Sequence, residues 1–387
     1  MWRRTTTPLA WRNFSHSRAR LVGSLAGVTF AVILMFVEMG FLNGLYDNHT
    51  RFVDLLDADL LLVNADKEAV IPLQPFPRRR LLQVRGQPGV ASAYGLRAEE
   101  MHSFLKNDRD GSQYPMMILG FDPTERVFLI PEVAAAAPRL TVADTVLVDS
   151  RAKDFYGDRV AGGEAEVSGR RVRIVGTFPL GPDFRVDGTG LVSERTFLNL
   201  FPDHRTGETT VDRIEFGLVK LVPGASVRET RRALESVLPE DVRVLTKAEF
   251  SDRIRSYWGA SKPVGYVFGT GMVVGFLIGV TICYQILYTG ILDHLPQYAT
   301  IKAIGYDDAY LIRLVVEEAL YLGVGGFAGG LVLTALIYGL LEVYTSVPMH
   351  LTILRMAAVF VLTLAMCVVS ALIAVRKAIE ADPAEVF

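Results

Sequence analysis

The sequence predicts an α-helical membrane protein with four transmembrane helices and a periplasmic α+β domain inserted between helices 1 and 2. The 387-residue chain has a mean hydropathy of +0.30, yet 21% of its residues are charged. A soluble domain of this size rarely has a positive mean hydropathy, so apolar and charged residues must lie in separate segments. Residues 46–261 hold 29 of the 40 Lys and Arg residues and 32 of the 42 Asp and Glu residues, which identifies the separate polar domain.

Four apolar segments are long enough to cross about 30 Å of hydrocarbon at about 1.5 Å per residue. We place the transmembrane helices at residues 21–45, 264–290, 315–343 and 352–375. The first segment is longer than the apolar core of a signal peptide and is followed by no convincing cleavage site. We therefore interpret it as a retained membrane anchor.

The basic residues predict the orientation of these helices. Residues 1–20 contain five arginines and no acidic residue, which predicts a cytoplasmic, amphipathic N-terminus. Four crossings then return the tail, residues 376–387, to the cytoplasm, and this tail begins with an Arg-Lys pair. The loop at 344–351 has no Lys or Arg, as expected of a short periplasmic loop. We expect a multi-pass protein of the inner membrane with both termini and the loop at 291–312 in the cytoplasm.

The polar segment alternates strand-like and helix-like patterns. Strands are predicted at residues 59–63, 115–121, 145–149 and 242–245, and a β-hairpin with a Ser168-Gly169 turn joins residues 164–167 to 170–175. Helices are predicted at 226–238, where Ser226 precedes Glu229 at capping-box spacing, and from Lys247 to about Tyr257. These patterns predict an α+β domain of two subdomains that is large enough for its own core.

The sequence gives no support for a catalytic or metal-binding function. It has no Gly-x-x-x-x-Gly-Lys-Ser/Thr, His-Glu-x-x-His or Gly-x-Ser-x-Gly motif. The six histidines are scattered, and we interpret His102 and His204 as surface or hydrogen-bonded residues. Cys283 and Cys367 lie in apolar segments, which excludes a disulfide framework. We expect a non-enzyme without a cofactor or metal of its own.

The charge distribution also argues against a nucleic-acid partner. The polar segment is close to neutral, and no basic stripe in it supplies the positive charge that would neutralise phosphates.

The loop at 291–312 carries the most informative motif, which runs from Gln297 to Gly305. A short amphipathic helix is predicted from Pro296, with its apolar face formed by Tyr298, Ile301 and Ile304, Lys302 on its polar face and Gly305 as its C′ residue. A helix in the lipid head-group layer is one interpretation, but such helices favour Lys and Arg, and this segment has one Lys among several Asp. A helix that docks in a protein groove fits the composition better.

Glycines recur at four-residue spacing in the second and third predicted transmembrane helices. The second has Gly271, Gly275 and Gly279, and the third has Gly325 and Gly329 together with Gly326 and Gly330. Small residues at this spacing allow helix backbones to approach closely, although glycine is frequent in membrane helices in general. We expect these glycines to be helix-packing positions.

The motif from Gln297 to Gly305 resembles the coupling helix of the MacB/FtsX-type ABC transporter permeases, also called the type VII or mechanotransmission class. Further similarity lies in Pro8–Asn13, Ala58–Leu60, Gln285–Thr289 and Ala381–Phe387. The resemblance covers essentially the whole chain and is closest to the DevC-type permeases of this family. Gln297 departs from the family pattern, because these permeases often carry an acidic residue there.

The resemblance implies a permease subunit that works as a homodimer in membrane lipid with three kinds of partner. These are an ABC ATPase subunit that binds ATP and Mg, a periplasmic membrane-fusion adaptor, and an outer-membrane channel. The ATPase would dock on Gln297, Tyr298, Thr300, Ile301, Lys302, Ala303, Ile304 and Gly305. Its movement would reach the periplasmic domain and export a lipid-like or amphiphilic substrate. An FtsX-like regulator of periplasmic effectors and a lipoprotein-release permease remain as alternatives.

Glu38 is the only charged residue between Leu21 and Gly40 of the first predicted span. A charged side chain at the bilayer centre costs about 2.5–3.5 kcal/mol on insertion scales, so its position requires an explanation. Snorkelling to the outer interface is one interpretation. The second follows from the resemblance, which implies that the first span lies near a two-fold axis: Glu38 would then lie at a dimer seam.

Overall fold

The computed structural model describes residues 18–65, 74–107, 110–157, 160–182, 186–206, 212–260, 263–345 and 349–379. The chain divides into two compact units, Met1–Gly44 with Pro263–Phe387, and Leu45–Lys262. We refer to these as the membrane unit and the α+β unit. The predicted amphipathic N-terminus, apart from residues 18–20, and the family-like segments Pro8–Asn13 and Ala381–Phe387 lie outside the described residues.

The first helix, α1 (Arg18–Asp54), starts in the membrane unit and ends in the α+β unit. Its 37 residues correspond to a length of about 55 Å. The helix extends nine residues beyond the predicted span at 21–45. Its final turns bury polar residues such as Asn48 and Thr50, and Val53 is fully buried in the core of the α+β unit. Packing within that unit therefore continues the helix where hydropathy alone predicts an end.

The α+β unit is built from short strands with helices between them. Its strands are β1 (Leu60–Asn64), β2 (Phe76–Pro77), β3 (Val90–Glu99), β4 (Phe104–Lys106), β5 (Gln113–Pro115), β6 (Met117–Phe121), β7 (Thr145–Asp149), β8 (Glu164–Val167), β9 (Arg170–Phe178), β10 (Thr189–Ser193), β11 (Arg213–Ile214), β12 (Phe216–Leu221) and β13 (Val242–Thr246). Its helices are α2 (Arg79–Arg85), α3 (Pro131–Leu140), α4 (Glu194–Leu200), α5 (Asp203–Thr206), α6 (Val227–Val237) and α7 (Lys247–Ala260), with a 3₁₀ turn at Asp154–Tyr156.

Within the described ranges, eleven of these strands form one sheet in the order β13-β1-β12-β3-β6-β10-β7-β9-β8-β4-β5, and β11 and β2 form a separate pair. Strand β3 joins the two halves of the sheet, because its residues from Val90 to Leu96 pair with β12 and those from Arg97 to Glu99 pair with β6. The predicted two-part domain therefore has a continuous backbone sheet.

The two faces of this sheet have different cores. Adjacent residues of a strand point to opposite faces, so Leu61 enters one core while Leu60 and Leu62 enter another. The core around Leu61 contains residues from both halves of the sheet, such as Leu218 and Leu119. On the opposite face each half has its own buried cluster. The hydrophobic core is thus continuous across one face of the sheet and divided into two clusters on the other face.

Most local predictions for this unit are confirmed. Strand β7 has the predicted bounds, and the β8–β9 hairpin turns at Ser168 and Gly169, whose φ angles of 48° and 78° suit a two-residue turn. The Ser226 hydroxyl accepts a hydrogen bond from the Glu229 amide at 3.4 Å, as the capping-box spacing predicts.

The strand predicted at 115–121 is confirmed as β6 from Met117 to Phe121, but the first two predicted residues lie outside that strand. The structure has β5 ending at Pro115 and β6 beginning at Met117. Proline has no amide hydrogen to donate to a ladder, so it is confined to strand ends and edges, and β5 is the edge of the sheet. The Met116 amide leaves the ladder and donates to the Ser103 carbonyl at 3.1 Å.

The membrane unit contains α8 (Pro263–Asp293), α9 (Leu295–Ala303), α10 (Asp308–Thr345) and α11 (Ile353–Ile379) in addition to the start of α1. Within the described part of the chain, α1, α8, α10 and α11 are the four helices long and apolar enough to cross a membrane. The predicted fold class is confirmed: there are four such helices, and the α+β domain lies between the first and the second.

Candidate functional site

Helix α9 forms the connection between α8 and α10, and a proline marks its beginning and a glycine its end. Pro296 occupies its first turn, where a missing amide hydrogen costs nothing. Gly305 has a φ of +103°, its amide donates to the Lys302 carbonyl at 2.9 Å, and the Tyr306 amide donates to the Ile301 carbonyl at 3.3 Å. These two bonds form a Schellman motif, so Gly305 ends the helix as the sequence predicts.

The next helix begins directly after this turn. The Asp307 carboxylate accepts a hydrogen bond from the Tyr310 amide at 3.1 Å, so Asp307 acts as the N-cap of α10. Only four residues separate the end of α9 from the first residue of α10. The short, doubly capped connection restricts the orientation of α9 relative to α10.

The residues of the predicted docking motif divide between two faces of α9. Tyr298 is 1% exposed and lies in the buried cluster of the membrane unit, and Ile301 and Lys302 are half-buried. The motif residues on the opposite face are exposed; they are Gln297, Thr300, Ala303, Ile304 and Gly305.

The predicted apolar face is therefore wrong at one position. Ile304 was assigned to the same face as Tyr298 and Ile301, but it is 71% exposed. The helix rotates by about 100° per residue, so Ala299, next to Tyr298, completes the inward face instead and is fully buried. Ile304 lies at the cap, beyond the last full turn. Together with half-exposed Tyr306, it gives the outward surface an apolar character.

Lys302 also differs from the sequence prediction of a polar, outward position. Its ammonium group donates to the main-chain carbonyl of Ile379 at 2.7 Å and lies 3.4 Å from the Asp308 carboxylate. Ile379 is the last residue of α11, where helix carbonyls lack intrahelical partners. Lys302 thus links α9 to the end of α11 and to the start of α10.

The glycines of α8 lie against α1. A Cβ atom added at Gly271 would lie 2.5–2.7 Å from the carboxyl group of Glu38, and one added at Gly275 would lie 3.3 Å from the Leu34 side chain. At Gly279 the added atom would overlap Met366 of α11 and would lie 3.0 Å from the Ala31 Cβ. These glycines allow side chains of the neighbouring helices to approach the α8 backbone.

The glycines of α10 also face α1, and the approach is closer. Added Cβ atoms at Gly326 and Gly330 would overlap the side chains of Val28 and Val32, and those at Gly325 and Gly329 would press on Leu25 and Thr29. The Thr29 hydroxyl donates to the Gly326 carbonyl at 3.2 Å, which requires near contact of the two backbones. Helix α1 therefore packs against glycine stripes on both α8 and α10.

Glu38 is half-buried, and its carboxyl group lies over Gly271 of α8. The absent Gly271 side chain provides the space for this carboxyl group within the membrane unit.

The α+β unit contains a charged cluster that sequence reasoning missed. Arg97 is 2% exposed and pairs with Glu194 at 2.9 Å and with Asp212. Arg78 pairs with the same two carboxylates. The four residues come from positions up to 134 apart in the chain, so no local motif reveals them.

A second buried cluster surrounds His204. Its Nε2 lies 2.7 Å from Glu99, and its Nδ1 lies 3.6 Å from Glu215. The carboxylates of Glu215 and Glu99 raise the pKa of His204 to about 9. Burial raises the pKa of Glu99, but hydrogen bonds from His204 and from the His102 amide outweigh it and lower that pKa to about 2. The interpretation of His204 as hydrogen-bonded is confirmed.

In the described ranges no group of three or more His, Cys, Asp or Glu residues has an arrangement that could hold a metal ion. The His204 cluster is accordingly an ion-pair network. Cys283 and Cys367 are free and buried in the membrane unit.

Comparison with known proteins shows similarity between this chain and ABC transporter permeases. Residues 269–383 match the FtsX-like permease C-terminal family. Two Mycobacterium tuberculosis proteins, the uncharacterized ABC transporter permeases Rv0072 (strain H37Rv) and MT0078 (strain CDC 1551), are each 23% identical to the chain over 390 residues. Each alignment covers 98% of both proteins.

Two solved structures with similarity to the chain are extramembrane domains. The periplasmic region of MacB from Actinobacillus actinomycetemcomitans matches with 13% identity and a TM-score of 0.37, over 52% of this chain and 94% of that one. The extracellular domain of the noncanonic ABC-type transporter YknZ from Gram-positive bacteria matches with 10% identity and a TM-score of 0.34, over 48% and 99%.

The matched family region contains the α8 glycines from Gly271 onward, the whole of α9 and α10, and the Lys302 contact with α11. The full-length similarity to the mycobacterial permeases extends across α1 and the α+β unit. The chain is thus similar over its full length to ABC transporter permeases, and its residues 269–383 match the FtsX-like permease C-terminal family.

Proposed function

We propose that this chain is the membrane subunit of an ABC exporter and transmits the ATP-driven movement of a separate ATPase to the α+β unit. An ABC permease requires an ATPase partner, which would bind the ATP and Mg that this chain is not expected to bind itself. The observation that carries the proposal is the exposed face of α9, which is formed by Gln297, Thr300 and Ile304.

The contacts of α9 support a role in transmission. Its inward face holds Tyr298 in the membrane core, and Lys302 bonds to the end of α11. A force on the outward face would therefore act on α10 and α11 together. Packed helices respond to such forces by small shear or hinge movements.

The route from these helices to the α+β unit is proposed to run along α1. Both glycine stripes bring neighbouring helices close to α1, and α1 itself continues to Asp54 within the α+β unit. A single uninterrupted helix is a stiff connection, because its backbone hydrogen bonds resist bending.

We further propose that the exported substrate is lipid-like or amphiphilic and that the α+β unit is periplasmic. A homodimer, a periplasmic adaptor and an outer-membrane channel complete the proposed assembly. The resemblance to DevC-type permeases and the large size of the α+β unit, from Leu45 to Lys262, favour this exporter over a small regulatory domain.

Co-expression of the full chain with a candidate MacB/FtsX-type ABC ATPase from the same organism tests the docking surface. We expect the wild type to retain the ATPase through purification in detergent and Ile304→Asp to reduce retention at least tenfold. Leu82→Asp is the matched control, since Leu82 is a 68% exposed leucine on α2 of the α+β unit. Equal retention by wild type and Ile304→Asp would contradict docking on α9.

Transport needs a separate measurement. In proteoliposomes, we expect the complex to extract a fluorescent phospholipid analogue from the bilayer only when ATP is supplied. ATP turnover that depends on the α9 surface but moves no lipid would instead favour the regulator, and release of a lipidated protein would favour the lipoprotein-release permease.

A further inference from the structure

A ligand-sized groove lies in the α+β unit between the end of α3 and the strands β8 and β9. Its volume is about 510 Å³, which is within the range of about 300–1,000 Å³ typical of small-molecule sites. The groove is far in sequence from α9 and belongs to neither cluster described above.

A β-bulge shapes the floor of this groove. Strands β7 and β9 pair in parallel, but Val146 is opposite Ile174 while the next residue, Leu147, is opposite Gly176. Val175 is therefore an extra, unpaired residue, and it lines the groove. Bulges bend a strand locally and redirect its side chains, and they are frequent beside functional sites.

Gly176 leaves space for an arginine of the neighbouring helix. A Cβ atom added at Gly176 would lie 3.5 Å from Nη2 of Arg139 and 3.1 Å from Leu147. The guanidinium group of Arg139 thus lies across β9 at the bulge. It reaches the groove from α3, whereas Arg171 and Arg173 reach it from β9.

The charged residues that line the groove are three arginines and two carboxylates, so its formal net charge is +1. Arg139, Arg171 and Arg173 are all exposed, and the carboxylates that line the same groove are Asp144 and Glu164. Glu164 and Arg171 form a loose ion pair, with 3.9 Å between the Glu164 carboxylate and the Arg171 guanidinium group. Among the residues that the structure describes, Arg139 and Arg173 have no carboxylate within ion-pair distance.

Guanidinium groups from two elements, without a carboxylate partner among the described residues, are suited to one class of ligand. Arginine presents several N–H donors in a planar fork that matches the oxygens of phosphate or carboxylate groups. The groove also has apolar walls, which include exposed Val142 and half-buried Val175. An oxyanion attached to an apolar group would therefore satisfy both parts of the lining.

We propose that this groove binds an oxyanion of the phosphate class, either as free phosphate or as the head group of an amphiphile. A protein partner would need to cover roughly 800 Å² of surface, whereas the convergent arginines lie in a concavity of ligand size. The binding needs neither ATP nor a second subunit, so a negative result would leave the proposed transport function untouched.

Hydrogen–deuterium exchange on the purified full chain in a nonionic detergent at low salt tests the proposal. The probes are inorganic phosphate, dihexanoyl phosphatidic acid and, as an uncharged match, dihexanoylglycerol. We expect phosphatidic acid to slow exchange in peptides that cover 139–145 and 164–175. Tighter binding of phosphatidic acid than of phosphate identifies an amphiphile head group as the ligand, and equal binding identifies a free oxyanion.

The variants Arg139→Gln and Arg173→Gln, combined, should weaken the apparent affinity at least tenfold. Arg173→Gln alone is compared with Arg170→Gln as its matched control, since each removes one positive charge from β9 but Arg170 does not line the groove. Equal weakening by the control would mean binding to general surface charge and would overturn the proposal. Protection by dihexanoylglycerol equal to that by phosphatidic acid, or no protection by any probe, would also overturn it.

Discussion

At the residue scale, the His204 cluster places an imidazole between carboxylates from two strands. Glu99 is at the end of β3, and Glu215 immediately precedes β12. Glu215 is only 3% exposed and also accepts a hydrogen bond from the Ala98 amide at 3.0 Å. A buried carboxylate is costly unless it is paired, so the positive charge of His204 stabilises this arrangement.

The stability of the α+β unit should therefore depend on pH through His204. Its pKa in the folded state, about 9, is above its ordinary value of 6.5. The stabilisation is fully present below about pH 6.5 and is lost as pH rises through 9. After allowance for solvent screening it is on the order of 1–2 kcal/mol. Thermal unfolding measured between pH 6.5 and 9.5 should show a falling midpoint.

His204→Gln should remove this fall, because the neutral amide cannot lose a proton. His102→Gln is the control: His102 lies 3.5 Å from Glu99, but its side chain is 80% exposed. At acidic pH the stability of the α+β unit should change in the opposite direction. The lowered pKa of Glu99 gives stabilisation that is lost as pH falls toward about 2. If the unfolding midpoint of His204→Gln still falls between pH 6.5 and 9.5, groups other than His204 cause the fall.

Lys302 illustrates how one contact changes the meaning of a motif residue. Because its ammonium group bonds to Ile379 and faces Asp308, we expect Lys302→Met to destabilise the membrane unit by about 1–2 kcal/mol. ATPase retention should stay within about twofold of wild type, since Lys302 points away from the exposed face. Thermal stability and co-purification, measured together, separate these effects.

Lys302→Arg retains the positive charge and should recover most of the stability. A tenfold loss of ATPase retention in Lys302→Met, with normal stability, would show that Lys302 contacts the partner directly.

At the element scale, α10 combines tightly packed and free glycines on one helix. Gly326 faces Val28 and the backbone of Thr29, whereas Gly339 has no atom within 4 Å of an added Cβ. Val28 is rigid because it is branched at Cβ, so it cannot yield as a flexible side chain would. The same substitution at the two positions should have opposite consequences.

Gly326→Ala should lower stability by about 1–3 kcal/mol, because it forces α1 and α10 apart. Gly339→Ala, the control in the same helix, should be neutral or stabilising by up to about 1 kcal/mol, since alanine favours helix. Thermal unfolding of the full chain in detergent measures both. Equal effects at the two positions would contradict close packing of α1 on α10.

Elements of the α+β unit differ in how far the sequence predicts them. The β8–β9 hairpin and the α6 cap follow from local chemistry, and both are confirmed. The bulge at Val175 was not predicted, because it depends on how β9 pairs with β7, a strand more than twenty residues earlier in the chain. The Arg97 and His204 clusters were missed for the same reason.

At the scale of the whole molecule, the orientation in the membrane remains a prediction from charge. The five arginines of the first 20 residues place the N-terminus in the cytoplasm. The α9 surface would then be cytoplasmic and the α+β unit would be on the opposite side. Cysteine labelling can test on which side of the membrane each surface lies, because both native cysteines are fully buried and should not react.

Single cysteines at Leu82 and Ile304, which are 68% and 71% exposed, provide the two reporters. A membrane-impermeant maleimide applied to spheroplasts should label Leu82→Cys at once and Ile304→Cys only after permeabilisation. Labelling of the unsubstituted chain, which should be negligible, is the control. Immediate labelling of Ile304→Cys would reverse the orientation and exclude docking of a cytoplasmic ATPase on α9.

By itself the sequence predicted the four apolar helices, the inserted α+β domain, the glycine that ends α9 and the similarity to ABC permeases, because hydropathy, turn chemistry and motifs are local properties. Only the tertiary structure shows which side of α9 is exposed and that Lys302 bonds to the end of α11. It also shows that the glycine stripes of α8 and α10 pack against α1. It also assembled the arginine groove. These features depend on contacts between distant segments, and such contacts arise only when packing brings those segments together.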